Sequence, residues 1–242
     1  MFTNVRIVLV HPTHPGNIGA VARAMKTMGF SQLFLVKPKL FPNPHATERA
    51  AHAADILLNA TVVSEFLPAI QDCGLVIGAS ARARDVPWTV LSARDAAQKI
   101  AQESAVIPNI ALVFGNEQNG LSNEELRHCH FQVEIPANPE YSSLNLAAAV
   151  QVMCYEMRVA YLNSLAHENS GPEKKHPPAT TADLEYFYQH LEKVLFDIGF
   201  LKSTRSNKIM QRLRCLFNRT RLDRREMKIL RGILTTIEES KV

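Results

Sequence analysis

"VRIVLVHPTHPGNIGAVARAMKTMGF", residues 5–30, decides the fold class. It opens with a β-branched run, breaks at Pro12, Pro15 and Gly16, and resumes with Ile18, Val21, Ala22, Met25 and Met28 at helical spacing before Gly29. A β-branched run followed by a 3.6-residue period is a strand feeding a helix. Gly29 is the residue type expected just past a helix C-terminus. The pattern recurs along the chain. "LFLV" (33–36), "LVIGAS" (75–80), "IALVFG" (110–115) and "FQVEIP" (131–136) read as strands, with a weaker "ATVVS" near residue 62, and helical patterns fill the gaps. Such alternation predicts an α/β fold around a largely parallel sheet.

"SLNLAAAVQVMCYEMRVAYL" (143–162) is apolar over much of its helical circumference, so it is expected to pack in the core or against a second copy of the chain. Composition then shifts. "NSLAHENSGPEKKHPPATTAD" (163–183) carries Ser, Pro, Gly and charge without periodicity, the mark of a flexible linker. Three short amphipathic helices are expected beyond it, with Asp183 and Asp223 as N-caps. The expected organisation is a first domain over 1–162, a linker over 163–182 and a helical extension over 183–242. An extension of that size is marginal alone and is expected to lean on the first domain or on a second copy. The first domain is expected to fold without it.

Charge is unevenly placed. Between Lys202 and Arg231 there are eleven Lys or Arg against Asp223 and Glu226, a net of +9, while the whole chain carries only +4. A clustered basic surface points to a polyanion such as nucleic acid, against the alternative of a merely solvated helix face. Asn4 and Arg6 interrupt the first apolar stretch, and the longest apolar run is far short of a membrane span. No membrane association and a cytoplasmic location are expected. The four cysteines (Cys73, Cys129, Cys154, Cys215) include no CxxC pair, so reduced thiols are expected. "HCH" (128–130) is expected to alternate along a strand and not to bind metal.

Three loops concentrate polar chemistry. In "HPTHPGNIGAVAR", Gly16 and Gly19 are read as letting the backbone turn into the helix, Asn17 lies near the helix start, and Arg23 comes nearly two turns on, expected on the same side. In "VFGNEQNGLSNEEL", Gly115 ends a buried strand, Glu117 comes two residues on, Gly120 closes the turn, and Ser122 with Glu125 forms a capping box. In "IPANPEYSSLNLAAAV" (135–150), Ser142, Ser143 and Asn145 crowd a helix start. All three lie just past strands, where open α/β sheets bind their ligands. Neither GxGxxG nor GxxxxGK[ST] occurs, which argues against a nucleotide-dependent dehydrogenase or kinase.

"NIGAVAR", "FGNEQNGL" and "IPANPEYSSLNLAAAV", in this order, resemble the three motifs of the SPOUT-class RNA ribose 2′-O-methyltransferases. Within that class the whole chain, basic tail included, is similar to the bacterial enzymes that methylate cytidine or uridine at nucleotide 32 of the tRNA anticodon loop. The resemblance implies a C-terminal trefoil knot in the sheet domain, a homodimer, S-adenosylmethionine as methyl donor and tRNA as substrate. It implies catalytic roles for Asn17, Arg23, Glu117, Ser143 and Asn145. The cofactor is expected against Ala79, Ser80, Ala81, Gly115, Ile135, Pro136, Ser142, Ser143 and Leu144. RNA is expected at Arg23, Tyr141, Arg212, Arg214, Arg219, Arg221, Arg224 and Arg225. Asn116 stands where many relatives carry Arg. A guanidinium is a poor proton acceptor, so Arg23 is read as a phosphate clamp and alkoxide stabiliser, with the phosphate as a candidate base. His11 and His14 beside it are weaker candidates. A non-catalytic RNA-binding protein, or methylation at another RNA site, is the alternative.

Overall fold

The computed structural model describes residues 2–81, 88–166, 178–202 and 206–240. Seven strands form one parallel sheet in the order β3-β2-β1-β6-β4-β7-β5. They are β1 (Val5–Val10), β2 (Gln32–Val36), β3 (Thr61–Val63), β4 (Leu75–Ala79), β5 (Val90–Ser92), β6 (Ile110–Phe114) and β7 (Phe131–Glu134). β1 and β6 are buried along their whole length, as unbroken apolar runs in a parallel sheet covered on both faces should be. The edge strand β5 was not legible in the sequence: three residues with Val90 exposed carry no period, and pairing with β7 defines it.

Between the strands lie α1 (Pro15–Met28), α2 (Pro44–Ala50), a 3-10 turn (Ala51–Ala53), α3 (Ala54–Leu58), α4 (Leu67–Ile70), α5 (Ala93–Glu103) and α6 (Asn123–Leu126). α7 (Leu146–Ala166) comes after β7, and α8 (Thr181–Asp197), α9 (Ser206–Thr220) and α10 (Arg224–Glu239) close the chain. α1, α5 and α7 cover one sheet face, where Ile18, Met25, Ile100, Val150, Met153 and Met157 pack on Ile7, Leu9, Ile77 and Leu112. A second core on the other face gathers Val8, Ile70, Val76, Trp88, Val113, Leu126 and Cys129. Cys73, Cys129 and Cys154 are buried free thiols, and burial pushes the Cys73 thiol up to about 12.

Gly29 caps α1 with φ 88°, as its position in the sequence required. Gly16 and Gly19 do something other than turn the chain, because both lie inside α1. A Cβ on Gly19 would sit 2.0 Å from the Ala46 carbonyl oxygen, and one on Gly16 would sit 2.9 Å from His45 Nε2. The missing side chains let α2 lie directly on α1.

The three C-terminal helices enclose their own core of Leu184, Phe187, Tyr188, Met210, Met227 and Leu234. Thr180, not Asp183, caps α8. Asp183 is the third helical residue and completes a capping box, while Asp223 caps α10 as expected. α7 runs four residues past 162, and most of the expected linker, 167–177, lies outside the described residues.

The extension leans on the first domain through buried polar contacts. Thr181 donates to the Cys73 carbonyl through both N–H and hydroxyl, at 3.0 and 3.1 Å. The buried Asn218 amide donates to the Cys129 carbonyl at 3.0 Å. Arg221 donates to the Gly74 carbonyl and to Glu103, at 2.8 and 2.6 Å. These contacts dock the extension on the first domain, as its small size led us to expect.

Candidate active site

The loops after β1, β4, β6 and β7 meet at the C-terminal edge of the sheet, and each is shaped by local chemistry. The β6 loop folds back on itself: a Cβ on Gly115 would lie 2.0 Å from the Gly120 carbonyl carbon, and Gly120 takes φ 66°. Only glycine fits both demands. Asn116 Oδ1 accepts from the Gln118 and Asn119 backbone N–H groups at 3.0 and 2.7 Å. This Asx turn gives the residue a structural task that an arginine could not perform in the same way. Ser122 and Glu125 make the expected capping box at the start of α6.

Glu117 is the centre of the constellation. Its Oε2 accepts from the Thr13 N–H (2.9 Å) and hydroxyl (2.8 Å), and its Oε1 from the His14 N–H (3.1 Å) and Asn17 Nδ2 (3.0 Å). Asn145 Nδ2 donates to Asn17 Oδ1 at 3.1 Å, while Asn145 Oδ1 accepts the Ala147 N–H at the first turn of α7. Burial alone would raise the Glu117 carboxyl. The Asn17 amide, the Thr13 N–H and hydroxyl and the His14 N–H outweigh it and hold it at about 2. One carboxylate and two amides thus pin three loops together.

Beside this network lies a cavity of about 220 Å³. Ala79, Ser80, Ala81, Gly115, Ile135, Ser142, Ser143 and Leu144, all expected at a cofactor site, line it, and Pro136 does not. Phe114, Val133, Leu146 and Ala149 supply an apolar wall, and Ser80, Asn116, Gln118, Asn119, Ser142 and Ser143 a polar one. Among the described residues no Lys or Arg lines it. A pyrophosphate would therefore find no countercharge, whereas an adenosine-like group with a flat apolar face and polar edges suits the walls.

Residues 4–155 match the model of the SpoU rRNA methylase family, and residues 182–242 that of the tRNA methyltransferase TrmJ C-terminal domain. The chain belongs to the SpoU methylase family. It is 48% identical over 241 residues to the tRNA (cytidine/uridine-2′-O-)-methyltransferase TrmJ of Pectobacterium atrosepticum, covering 99% of each chain. It is 50% identical over 241 residues to the enzyme of that name from Sodalis glossinidius, covering 100% of this chain and 94% of the other. Among solved structures, TrmJ from Z. mobilis superposes with a TM-score of 0.82 at 33% identity, covering 96% of this chain and 98% of that one.

In this SpoU methylase the remaining expected site residues are dispersed. Six residues advance a helix by about 600°, which leaves Arg23 roughly 120° around α1 from Asn17. It accordingly faces a separate hollow between α1, α2 and α7 and does not join the Glu117 network. Tyr141 is 80% exposed. Arg212, Arg219, Arg224 and Arg225 are exposed. Arg214 and Arg221 are not free for RNA. Arg214 holds Glu185 with two hydrogen bonds (2.5 and 3.0 Å) and lies over the Tyr188 ring, and Arg221 is buried against Glu103. For Arg214 the signal was present, since Met210, Arg214 and Phe217 lie along one stripe of α9, the inward one; Arg221 lies just past the helix with φ 56°, where no period marks it.

The histidines serve structure. His128 pairs with Glu185 at 2.9 Å and His130 accepts the Val76 N–H at 3.0 Å, both buried just before β7, so they do not alternate on a strand. Among the described residues no group of three His, Cys, Asp or Glu could hold a metal ion, and no helix is long and apolar enough to cross a membrane. His11 is exposed with φ 50°, and His14 meets Glu117 through its backbone. Sequence reasoning missed Thr13, whose hydroxyl and N–H both serve Glu117. Nothing in one polar residue of a Pro-rich loop distinguishes it in advance.

Proposed function

We propose that the protein is an S-adenosylmethionine-dependent tRNA ribose 2′-O-methyltransferase acting on cytidine or uridine at position 32 of the anticodon loop, in the cytoplasm. The observation that carries the reading is the cavity lined by the loops after β4, β6 and β7 without a described cation, on a chain similar throughout its length to tRNA 2′-O-methyltransferases. Ser80, Ser142, Ser143 and the backbone of the 115–120 loop would hold the cofactor's polar edges, and Ile135, Leu144 and Leu146 its adenine. When bound, it supplies a methyl group on a positively charged sulfur. Direct displacement demands that the ribose oxygen be held in line, and positioning of this kind is worth on the order of 7 to 11 kcal/mol.

Asn17, Glu117 and Asn145 act here as positioning residues. With four donors on its carboxylate, Glu117 is an anchor and not a proton carrier. Arg23 is exposed, has no ion-pair partner among the described residues, and is suited to hold the phosphate beside the target ribose and to stabilise the alkoxide as the proton leaves. Exposed Arg212, Arg219, Arg224 and Arg225 would track the tRNA backbone without reading its sequence.

The working unit in this reading is a homodimer. Ala148, Val152, Tyr155, Val159 and Leu162 form a continuous stripe on the side of α7 turned away from the core, with Tyr155 53% and Leu162 50% exposed. A second copy on that stripe would lie beside the Arg23 hollow, whose floor includes Ala148. A trefoil knot in the sheet domain is part of this reading, as the family resemblance implies.

Incubation with tRNA and isotopically labelled S-adenosylmethionine, with mass-spectrometric mapping of the anticodon arm, tests the proposal. A 2′-O-methyl group at nucleotide 32 is expected. Methylation of a base, or of ribose only in another RNA, would sink it, as would calorimetric binding of NAD in place of S-adenosylmethionine.

A further inference from the structure

The hollow beside α1 contains a second cation. It measures about 380 Å³ and presents Arg23 from α1, Arg49 from α2 and Gln151 from α7 over a floor of alanines. Both guanidiniums are exposed, and among the described residues neither has an ion-pair partner. The carboxylates on neighbouring elements are engaged elsewhere: Glu48 with His45, Glu117 with its four donors and Glu156 with Arg94. Two like charges sharing one concavity repel unless an anion lies between them.

The approach of Arg49 to Arg23 is built into the helix packing. Gly19 and Gly16 let α2 settle on α1, and the ideal Cβ of Gly16 would lie 3.8 Å from Arg49 Cγ. A helix-end role is the alternative, since Arg49 stands in the last turn of α2. α2 has only seven residues and its dipole is correspondingly weak, and that role would not require Arg49 to face the hollow of Arg23.

We propose that Arg49 is a second phosphate-binding residue, holding the phosphodiester adjacent to the one held by Arg23 on the RNA strand that presents the target ribose. The proposal rests on the reading of Arg23 as a phosphate clamp. Guanidinium matches phosphate with two parallel N–H donors, and the Gln151 amide, which has no hydrogen-bond partner among the described residues, adds a neutral donor at the same rim. Arg49 is then a positioning residue, acting on affinity and register and not on the reacting oxygen.

The test compares Arg49→Gln and Arg49→Lys with the unaltered full-length protein. Arg49→Gln should raise the Kd for tRNA about tenfold at near-physiological salt, and lower the slope of log Kd against log salt by about 0.7. S-adenosylmethionine affinity should stay within twofold, and turnover at saturating tRNA should fall by less than the tRNA affinity does. Arg49→Lys should restore the slope but only part of the affinity, because an ammonium does not grip two phosphate oxygens in a fixed plane. An unchanged Kd and slope would overturn the proposal, and so would a weakened dimer or a loss of S-adenosylmethionine binding with the slope intact. Failure of the unaltered protein to methylate tRNA would instead remove the underlying functional reading.

Discussion

Asn145 and Asn17, 128 residues apart, are joined by a 3.1 Å hydrogen bond from one side-chain amide to the other, and the second amide donates in turn to Glu117. The start of α7 is thereby tied directly to the start of α1, and α1 in turn to a carboxylate on the β6 loop. The cavity rim at Ser142–Leu144 lies just ahead of this tie.

Glu117→Gln should loosen that rim. A glutamine offers one oxygen and an NH₂ group, so at least one of the four donors now serving the carboxylate would face another donor. Hydrogen bonds to a charged group contribute roughly 1.5 to 3 kcal/mol each. S-adenosylmethionine affinity by calorimetry should fall at least tenfold, with a lowered Tm. Unchanged affinity would mean that the network does not shape the cavity.

Arg23→Ala should leave S-adenosylmethionine binding within about twofold and lower kcat by about 10² to 10³, the usual cost of removing one donor from a developing oxyanion. The hollow it faces is separate from the cofactor cavity, which is why the two measurements should part. Cofactor affinity falling in step with turnover would contradict the assignment.

Arginines of the extension should separate by burial. Arg221→Ala removes the donor to the Gly74 carbonyl and leaves Glu103 paired with Lys99 alone, and should cost about 1 to 3 kcal/mol of stability in denaturant melts. Arg212→Gln, Arg224→Gln and Arg225→Gln should leave stability within about 0.5 kcal/mol. Each should lower the salt slope of tRNA affinity by somewhat under one. A double-logarithmic salt titration beside each melt decides between the two roles.

Acid should release the extension through Glu185. Burial raises its carboxyl, but hydrogen bonds from His128 and Arg214 outweigh that effect and hold it at about 2, below the usual 4.5. A folded value below the unfolded one means that the stabilisation is complete above about pH 4.5 and is lost as pH falls toward 2. Trp88 donates to the Leu126 carbonyl in the second core and is the single tryptophan, so its fluorescence can report the change. Glu185→Gln should remove this component of the acid transition, and an identical profile in the variant would exclude Glu185 as its source.

Placing a charge on the α7 stripe should test the dimer. Tyr155→Arg changes a residue that is half exposed in the single chain and should leave the Tm nearly unchanged while shifting sedimentation toward a monomer of about half the mass. A dimer of undiminished affinity would place the second copy on another face.

Much of the molecule could be read from one dimension. The βα pattern of residues 5–30, the Gly29 stop, the capping box at Ser122 and Glu125, and the loops around Gly115 and Ser142–Leu144 all depend on local propensity or on the ligand-binding role of loops at strand ends in a parallel sheet. The tertiary structure alone decided which side chains those loops aim at one another. Gly16 and Gly19 look like turn glycines until α2 is seen lying on them, and Glu117 looks like a possible acid or base until four donors from residues 13–17 close around it. Arg214 and Arg221 share a sequence neighbourhood with Arg212 and Arg224, yet the first pair is covered and engaged with the partly buried Glu185 and Glu103, while the second pair is exposed. Charge and local spacing are properties of the chain, whereas desolvation and pairing arise only where distant segments meet, and there the chemistry of this site is set.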